Sequence, residues 1–419
     1  MAITIRTQPD THTPAYNEQW YICSSSNSSQ PNFKYVVTTT IDGIAQTQKF
    51  QKRPDNNLLY FNPQRIAESF VSAKFYTALD KPTPSYYEIK KVIVEISEEH
   101  GSPVSGFTPV TGTHHVWNSA YNSADFSTFT YAASSNIKQL TLAPNVGSVS
   151  GISTSTDKIN FNQKYLLKSW HIGWGNLGTD GYQLEVIAYD VNSNMLQDTY
   201  IYNDQYAGAL PARYITNVNC SPYGLNLIKT NNPANILSQT DPTGDVVPAN
   251  TYFYVMRWFN SSPSANSIIH EVVIDTFCSN YDRYVLHFLN RLGNFDSFTF
   301  NLLSKKTVDK STKDYVKVPY TLDGNYNYEY FNWESGRVNY NTVLTNKITV
   351  NSNWVNETQY AWLMDLFRSP RIVLEDESNN LFAVTCTLKN IEEKQKSNEK
   401  VFNFVVDLEY DYQDIRQRG

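Results

Sequence analysis

Residues 402–412 read FNFVVDLEYDY. In an extended chain successive side chains point to opposite faces. Phe402, Phe404, Val406, Leu408, Tyr410 and Tyr412 therefore share one side, while Val405, Asp407, Glu409 and Asp411 share the other. One face suits a core and the other presents acid. Immediately upstream, 371–375 and 381–388 read as strands, and 357–368 carries the period of a helix with Tyr360, Leu363, Met364 and Phe367 on one face. Asn356, followed three residues later by Gln359, has capping-box spacing, and Ser369-Pro370 ends the helix. Strands and a helix that each have one apolar face predict an α+β unit with one helix packed on a sheet. Tyr360, Leu363, Met364 and Phe367 are also candidates for an assembly surface.

Working toward the N-terminus, Tyr284, Leu286 and Phe288 alternate with Val285 and His287, and Asn290 to Asn294 turns the chain toward Phe298 and Phe300. Tyr326, Tyr328 and Tyr330 follow Asp323-Gly324 and alternate with Asn327 and Glu329, a hairpin signal. Lys305 to Lys317 mixes both charges and reads as a solvated loop or a sheet edge guarded by lysines, in preference to a binding tract. These features place a C-terminal α+β domain at 280–419. Residues 116–279 hold short apolar runs, at Leu166 to Ile172, Leu184 to Tyr189, Thr251 to Phe259 and Ile268 to Phe277, with Asn-, Ser-, Gly- and Pro-rich intervals between them. Such spacing predicts a middle β-sandwich. The stretch GSPVSGFTPVTGTHH, 101–115, has the composition of a linker. Ahead of it, residues 1–100 read as a first, N-terminal domain. Asp42-Gly43 favours a type I′ hairpin, 63–72 a short helix after Asn62-Pro63, and Val92, Val94 and Ile96 one buried face of a strand.

The fold class expected is mainly β and multi-domain. Aromatics make up 14% of the 419 residues, with 30 Tyr but only 4 Met, a mixture that suits half-buried pleated strands. The formal net charge of −6 leaves no overall basic excess to drive nucleic-acid binding. Cys23, Cys220, Cys278 and Cys386 stand singly and specify neither a disulfide framework nor a zinc site. The opening MAITIRTQPDTHTP has no basic head followed by an apolar run, and no window approaches 18 apolar residues, so the chain is expected to be cytoplasmic when made and not membrane-inserted.

Motifs that could carry chemistry fail on context. Gly173-Trp-Gly-Asn-Leu-Gly178 matches a dinucleotide fingerprint, but that motif needs a following helix N-terminus, and Tyr182 to Ile187 reads as strand. Asp190-Val-Asn-Ser-Asn194 begins like a calcium loop, yet Met195 sits where glycine belongs and Ile201 where the bidentate Glu belongs. His114 and His115 are adjacent and point apart, so they do not share a metal. No catalytic, cofactor or metal residues are assigned, and no cofactor is expected. A glycosidase needs only two acids, for which Glu95, Glu98, Glu185 and Asp190 are candidates. Trp117, Trp170 and Trp174, if exposed, could form a glycan platform.

Three stretches together resemble a family. Thr13-Pro-Ala-Tyr-Asn17, Gln30 to Tyr35, the Asp42-Gly43 hairpin and the helix after Asn62 form the first. The most specific is Tyr284-Val-Leu-His-Phe-Leu-Asn-Arg-Leu-Gly293-Asn-Phe-Asp296-Ser-Phe-Thr-Phe300, and the third runs from Trp362-Leu363 through Ser369-Pro370 to Gln417-Arg418. This pattern, over about 1–75 and 280–419, is similar to structural proteins of tailed bacteriophages that infect Bacteroidota, including crAss-like phages. The resemblance implies an N-terminal sandwich of Ig/FnIII-like type and a non-enzymatic virion component of the tail, neck ring or baseplate, assembled in the host cytoplasm. Expected partners are copies of itself in a ring and neighbouring tail, neck or fibre proteins. DNA enters only as a passing strand, with Asp407, Glu409 and Asp411 as candidate lumen residues, because an acidic wall lets phosphates slide. The alternatives are a receptor- or glycan-binding tail protein and a wall-degrading glycosidase.

Overall fold

The computed structural model describes residues 3–76, 82–85, 88–101, 105–106, 108–121, 137–139, 145–149, 152–159, 165–172, 183–202, 213–259, 269–274, 281–317, 321–329, 336–388 and 401–412. The chain is mainly β and built from several sheets. It divides into two compact units, Met1–Thr276 with Leu289–Ser297, and Phe277–Phe288 with Phe298–Gly419.

The first unit begins with two sheets around one apolar cluster. Ile3–Thr7, Tyr21–Ser25 and Leu59–Phe61 form the smaller sheet. The larger runs His12–Pro14, Val110–Trp117, Ile89–His100, Lys34–Ile41, Ile44–Phe50. Between them lie Tyr21, Cys23 and Phe61 from one sheet and Tyr35, Val37, Val92, Val94, Ile96 and Val116 from the other. The alternation expected at 92–96 is therefore real, and it extends along the whole of Ile89–His100. Asp42 and Gly43, at φ 50° and 80°, close the expected hairpin. The helix expected over 63–72 is shorter, Gln64–Glu68, with Pro63 as its N-cap.

The linker reading of 101–115 is corrected. Val110–Trp117 pairs antiparallel with Ile89–His100 along its whole length, so this stretch lies inside the first sandwich. Small, polar composition hides a strand whose Gly112 is used for close approach: a Cβ there would lie 2.4 Å from Cε1 of the buried Tyr21. His114, expected as linker decoration, is buried, with Tyr21 on Nδ1 and Gln19 on Nε2, each at 2.9 Å.

The rest of the first unit is a seven-stranded sheet and a four-stranded one. The seven-stranded order is Asn145–Val149, Ile152–Ile159, Ile269–Ile274, Phe253–Phe259, Gln183–Tyr189, Met195–Tyr202, Ile236–Gln239. The other runs Ile137–Gln139, Leu166–Ile172, Arg213–Asn219, Thr83–Ser85. Leu184, Val186, Tyr254, Met256 and Trp258 meet Val218 of the second sheet and Leu225 and Ile228 of the helix Pro222–Asn231 in one core. Thr83–Ser85, from the first hundred residues, pairs with Arg213–Asn219, so pairing crosses the boundary drawn at 100.

One further sheet, most of it in the second unit, runs Phe295–Phe300, Tyr284–Leu289, Ile372–Glu375, Leu381–Cys386, Val401–Tyr410, Arg337–Asn356, Lys305–Val316. The helix Glu357–Arg368 has the expected capping box: Asn356 accepts from the Gln359 N–H and Gln359 from the Asn356 N–H. Tyr360 packs edge-on to Phe404 at 5.4 Å, and Trp362 lies 5.7 Å from Phe288 and 6.0 Å from Phe298. Tyr360 and Leu363, offered as assembly residues, are thus buried in this unit's own core, while Met364 and Phe367 are half-buried. The helix spends its apolar face on its own sheet.

Candidate functional site: an exposed two-stranded arm

Lys305–Val316 is an edge strand, and all twelve residues are exposed. Its partner Arg337–Asn356 pairs with it from Thr349 back to Arg337. That partner also pairs with Val401–Tyr410, but only over Lys347 to Asn356. From Val308↔Asn346 to Val316↔Arg337 the two strands therefore form a ribbon with no third strand among the described residues. The nine residues from Val308 to Val316, at about 3.4 Å each, reach about 30 Å.

Two cross-strand ion pairs accompany the backbone ladder of the ribbon. Lys347 Nζ lies 2.6 Å from Asp309 at its base, and Arg337 Nε lies 3.2 Å from Asp314 further out. Asp309, with Glu409 and Asp407 beyond it, raises the Lys347 ammonium above its ordinary value. After 317 comes a small hairpin, Thr321–Leu322 with Tyr328–Glu329. Its turn is set by Asp323, whose Oδ1 accepts from the N–H groups of Asn325 and Asn327 at 2.8 Å each, and these bonds hold its carboxyl below the usual range. The hairpin that Asp323-Gly324 signalled is therefore present, and the left-handed residue of its turn is Tyr326, at φ 64°.

Apolar side chains stand in water along this arm. Tyr326 is 84% exposed, Val316 83% and Tyr328 73%, and Val308, Tyr315, Leu322, Tyr340 and Val343 are exposed too. Lys310 and Lys313 make no ion pair among the described residues. The sequence marked the edge lysines but gave no sign of the ribbon, because neither strand has the clean apolar face that flags a strand. The usable signal lay in the β-branched 342–350, TVLTNKITV.

The other sequence candidates fall as follows. Asp407, Glu409 and Asp411 do share the face of their strand opposite Val406 and Leu408. Asp407 accepts from Thr349 Oγ1 at 2.6 Å and Asp411 from Thr385 Oγ1 at 2.8 Å, and Glu409 stands opposite Lys347. Trp117 is corrected: it is 1% exposed, with its indole N–H donated to the Leu292 carbonyl at 3.1 Å, so it offers no platform. The Trp170 side chain and all of Trp174, with the Gly173–Gly178 motif, lie outside the described residues.

The paired-acid candidates do not converge. Glu95 and Glu98 lie on opposite faces of one strand, and Glu98 is buried against Ser25 and Asn27. Glu185 is clamped by Arg257 Nε and Nη2 and accepts from the Tyr200 hydroxyl at 2.7 Å, which, with burial, pushes that phenol up to about 12. Asp190 Oδ1 accepts from the N–H groups of Asn192 and Asn194, so the calcium-like sequence is a hairpin turn. Among the described residues no group of three or more His, Cys, Asp or Glu could hold a metal ion, and no helix is long and apolar enough to cross a membrane. Comparison with protein-family models and with curated proteins returned no match.

Proposed function

We propose that this chain is a non-enzymatic structural subunit of a tailed-phage virion, in the tail, neck ring or baseplate, and that it assembles with copies of itself and with adjoining virion proteins. The observation that carries the reading is the free arm. An isolated two-stranded ribbon is at best marginally stable in water, and exposed Tyr and Val side chains gain most when a partner covers them. A protein that keeps about 30 Å of such ribbon in solution has a surface built for a neighbour. The resemblance of 284–300 and 362–418 to phage structural proteins points the same way. On this reading the first sandwich is of the Ig/FnIII-like kind.

Sedimentation of the purified chain, beside a variant in which 308–346 is replaced by a short turn, tests the proposal. The full chain is expected to form a closed oligomer and the shortened one to sediment as a monomer. Mass spectrometry of purified particles should find the chain in many copies. A full chain that stays monomeric, and is absent from particles or present in a single copy, would falsify the reading.

A further inference from the structure

We infer that the arm of one subunit seats its lysines on the acidic strip Asp407, Glu409 and Asp411 of a second copy. This inference rests on the assembly reading above and names the surface that receives the arm.

Charge singles out the occupant. Residues 305–317 carry five lysines against two aspartates, a net +3 in a chain of net −6, so the remaining residues carry −9. Asp309 is held by Lys347 and Asp314 by Arg337, whereas Lys310 and Lys313 have no ion-pair partner among the described residues. Lys310 and Lys313 lie on opposite faces of the edge strand, so ammonium groups flank its unpaired side whichever face is covered. Lysines placed this way oppose edge-to-edge pairing of two arms and favour an acidic counterpart.

The strip is that counterpart within the same unit. It lies on the sheet face opposite Val406 and Leu408, which face the core. Neither Glu409 nor Asp411 makes an ion pair among the described residues, and exposed Val405 lies on the same face, two residues before Asp407. Whichever face the arm lays down, one of Lys310 and Lys313 meets the carboxylates, and its exposed Val and Tyr side chains can cover Val405.

The arm cannot reach the strip of its own chain. Pairing runs in unbroken register from Asn341 through Asn351, so the ribbon continues the line of its strand away from Val401–Tyr410 and has no hinge at which to double back. The contact must join two copies, and it is heterologous: the arm of one meets the strip of the next. Repeated about an axis, such a contact closes a ring or propagates a filament. It also gives Asp407, Glu409 and Asp411 a role in subunit contact in place of a DNA-facing lumen.

The test compares four full-length proteins by sedimentation equilibrium: wild type, Lys310→Glu/Lys313→Glu, Glu409→Lys/Asp411→Lys, and the quadruple variant. Each double variant is expected to raise the subunit dissociation constant at least about tenfold, and the quadruple to recover most of it, because the reversed charges again face each other. Circular dichroism and thermal unfolding of the monomers check folding. Glu409→Gln/Asp411→Asn removes the acids without crowding Lys347 and should weaken assembly in the same direction. Normal assembly of either double variant, or no recovery in the quadruple, overturns the contact while leaving self-assembly intact. A wild type that never assembles overturns the reading beneath it.

Discussion

Gly43, Gly293 and Gly324 all sit in hairpin turns, yet the structure asks different things of each. Gly293 has φ +94°, and a Cβ there would come within 2.3 Å of the Asn118 backbone carbonyl oxygen. Gly43 has φ +80° and open space around it, while Gly324 has neither a positive φ nor a neighbour within 4 Å. Alanine should therefore cost about 2–4 kcal/mol at Gly293, where strain and overpacking add, about 1 kcal/mol at Gly43, and almost nothing at Gly324. Urea unfolding of the three variants checks the order; equal losses at all three would show that turn conformation does not govern these sites. His114 sets a pH dependence by similar reasoning. Burial, helped by neighbouring His115, lowers its imidazole to about 3. Below the ordinary value near 6.5 the unfolded chain takes up a proton that the folded chain refuses. The stability is fully present above pH 6.5 and is lost as pH falls toward 3, about 3 kcal/mol of it between pH 7 and pH 4. Gln in place of His114 can still accept from Tyr21 and donate to Gln19 without titrating. His114→Gln should then lose correspondingly less stability over that range, as measured by chemical unfolding at each pH; an unchanged slope would exclude His114 as its source.

At the scale of elements, what was legible follows from whether the information was local. The capping box at Asn356 and Gln359 and the turn at Asp42-Gly43 are settled by residues within a few positions, and both stand where the sequence put them. The acidic and apolar faces of 402–412 likewise follow from strand alternation alone. The helix face was read one step off, as Met364 and Phe367, whereas Trp362 and Leu366 are the buried residues beside Tyr360 and Leu363. That face was decided by Phe288 and Phe298, which lie more than sixty residues away in sequence. Turns read singly at 190–194, 290–294 and 323–324 share one geometry that the sequence reading did not connect. Asp190, Asp323 and Asp376 each accept, through one carboxylate, the N–H of an Asn four residues on, and each turn places one left-handed residue just before that Asn, namely Ser193, Tyr326 or Asn379. Asn290 does the same for Asn294, with Gly293 in the left-handed place. The shared spacing, Asp or Asn followed four residues later by Asn, is plain once the geometry is known. An Asx side chain that satisfies two backbone donors fixes a five-residue turn even where Asp-Gly advertises a shorter one. The strand Val110–Trp117 was missed because its own composition is that of a linker and only its ladder to Ile89–His100 reveals it, whereas Lys305–Val316 does lie at a sheet edge, one of the two readings its lysines gave.

For the molecule as a whole, the two kinds of sheet edge matter more than the cores. Buried clusters such as the one around Trp258 and Met256 complete themselves within the chain. The ribbon from Val308 to Val316 does not, since every residue of its edge strand is exposed. A segment with few buried contacts opens locally at little free-energy cost, and proteolysis reads that opening directly. Lys310 and Lys313 place two tryptic sites on it. In the monomer, kept below the concentration at which subunits associate, trypsin should cut at these positions readily, as peptide mass spectrometry over a time course will record. In assembled particles the same cuts should slow at least about tenfold, because a covered ribbon must first leave its partner before it can open. The comparison separates an arm that is merely exposed from one that is used: cleavage at Lys310 and Lys313 at one rate in both states would mean that assembly leaves the ribbon bare, and the arm would then have to serve a partner outside the particle.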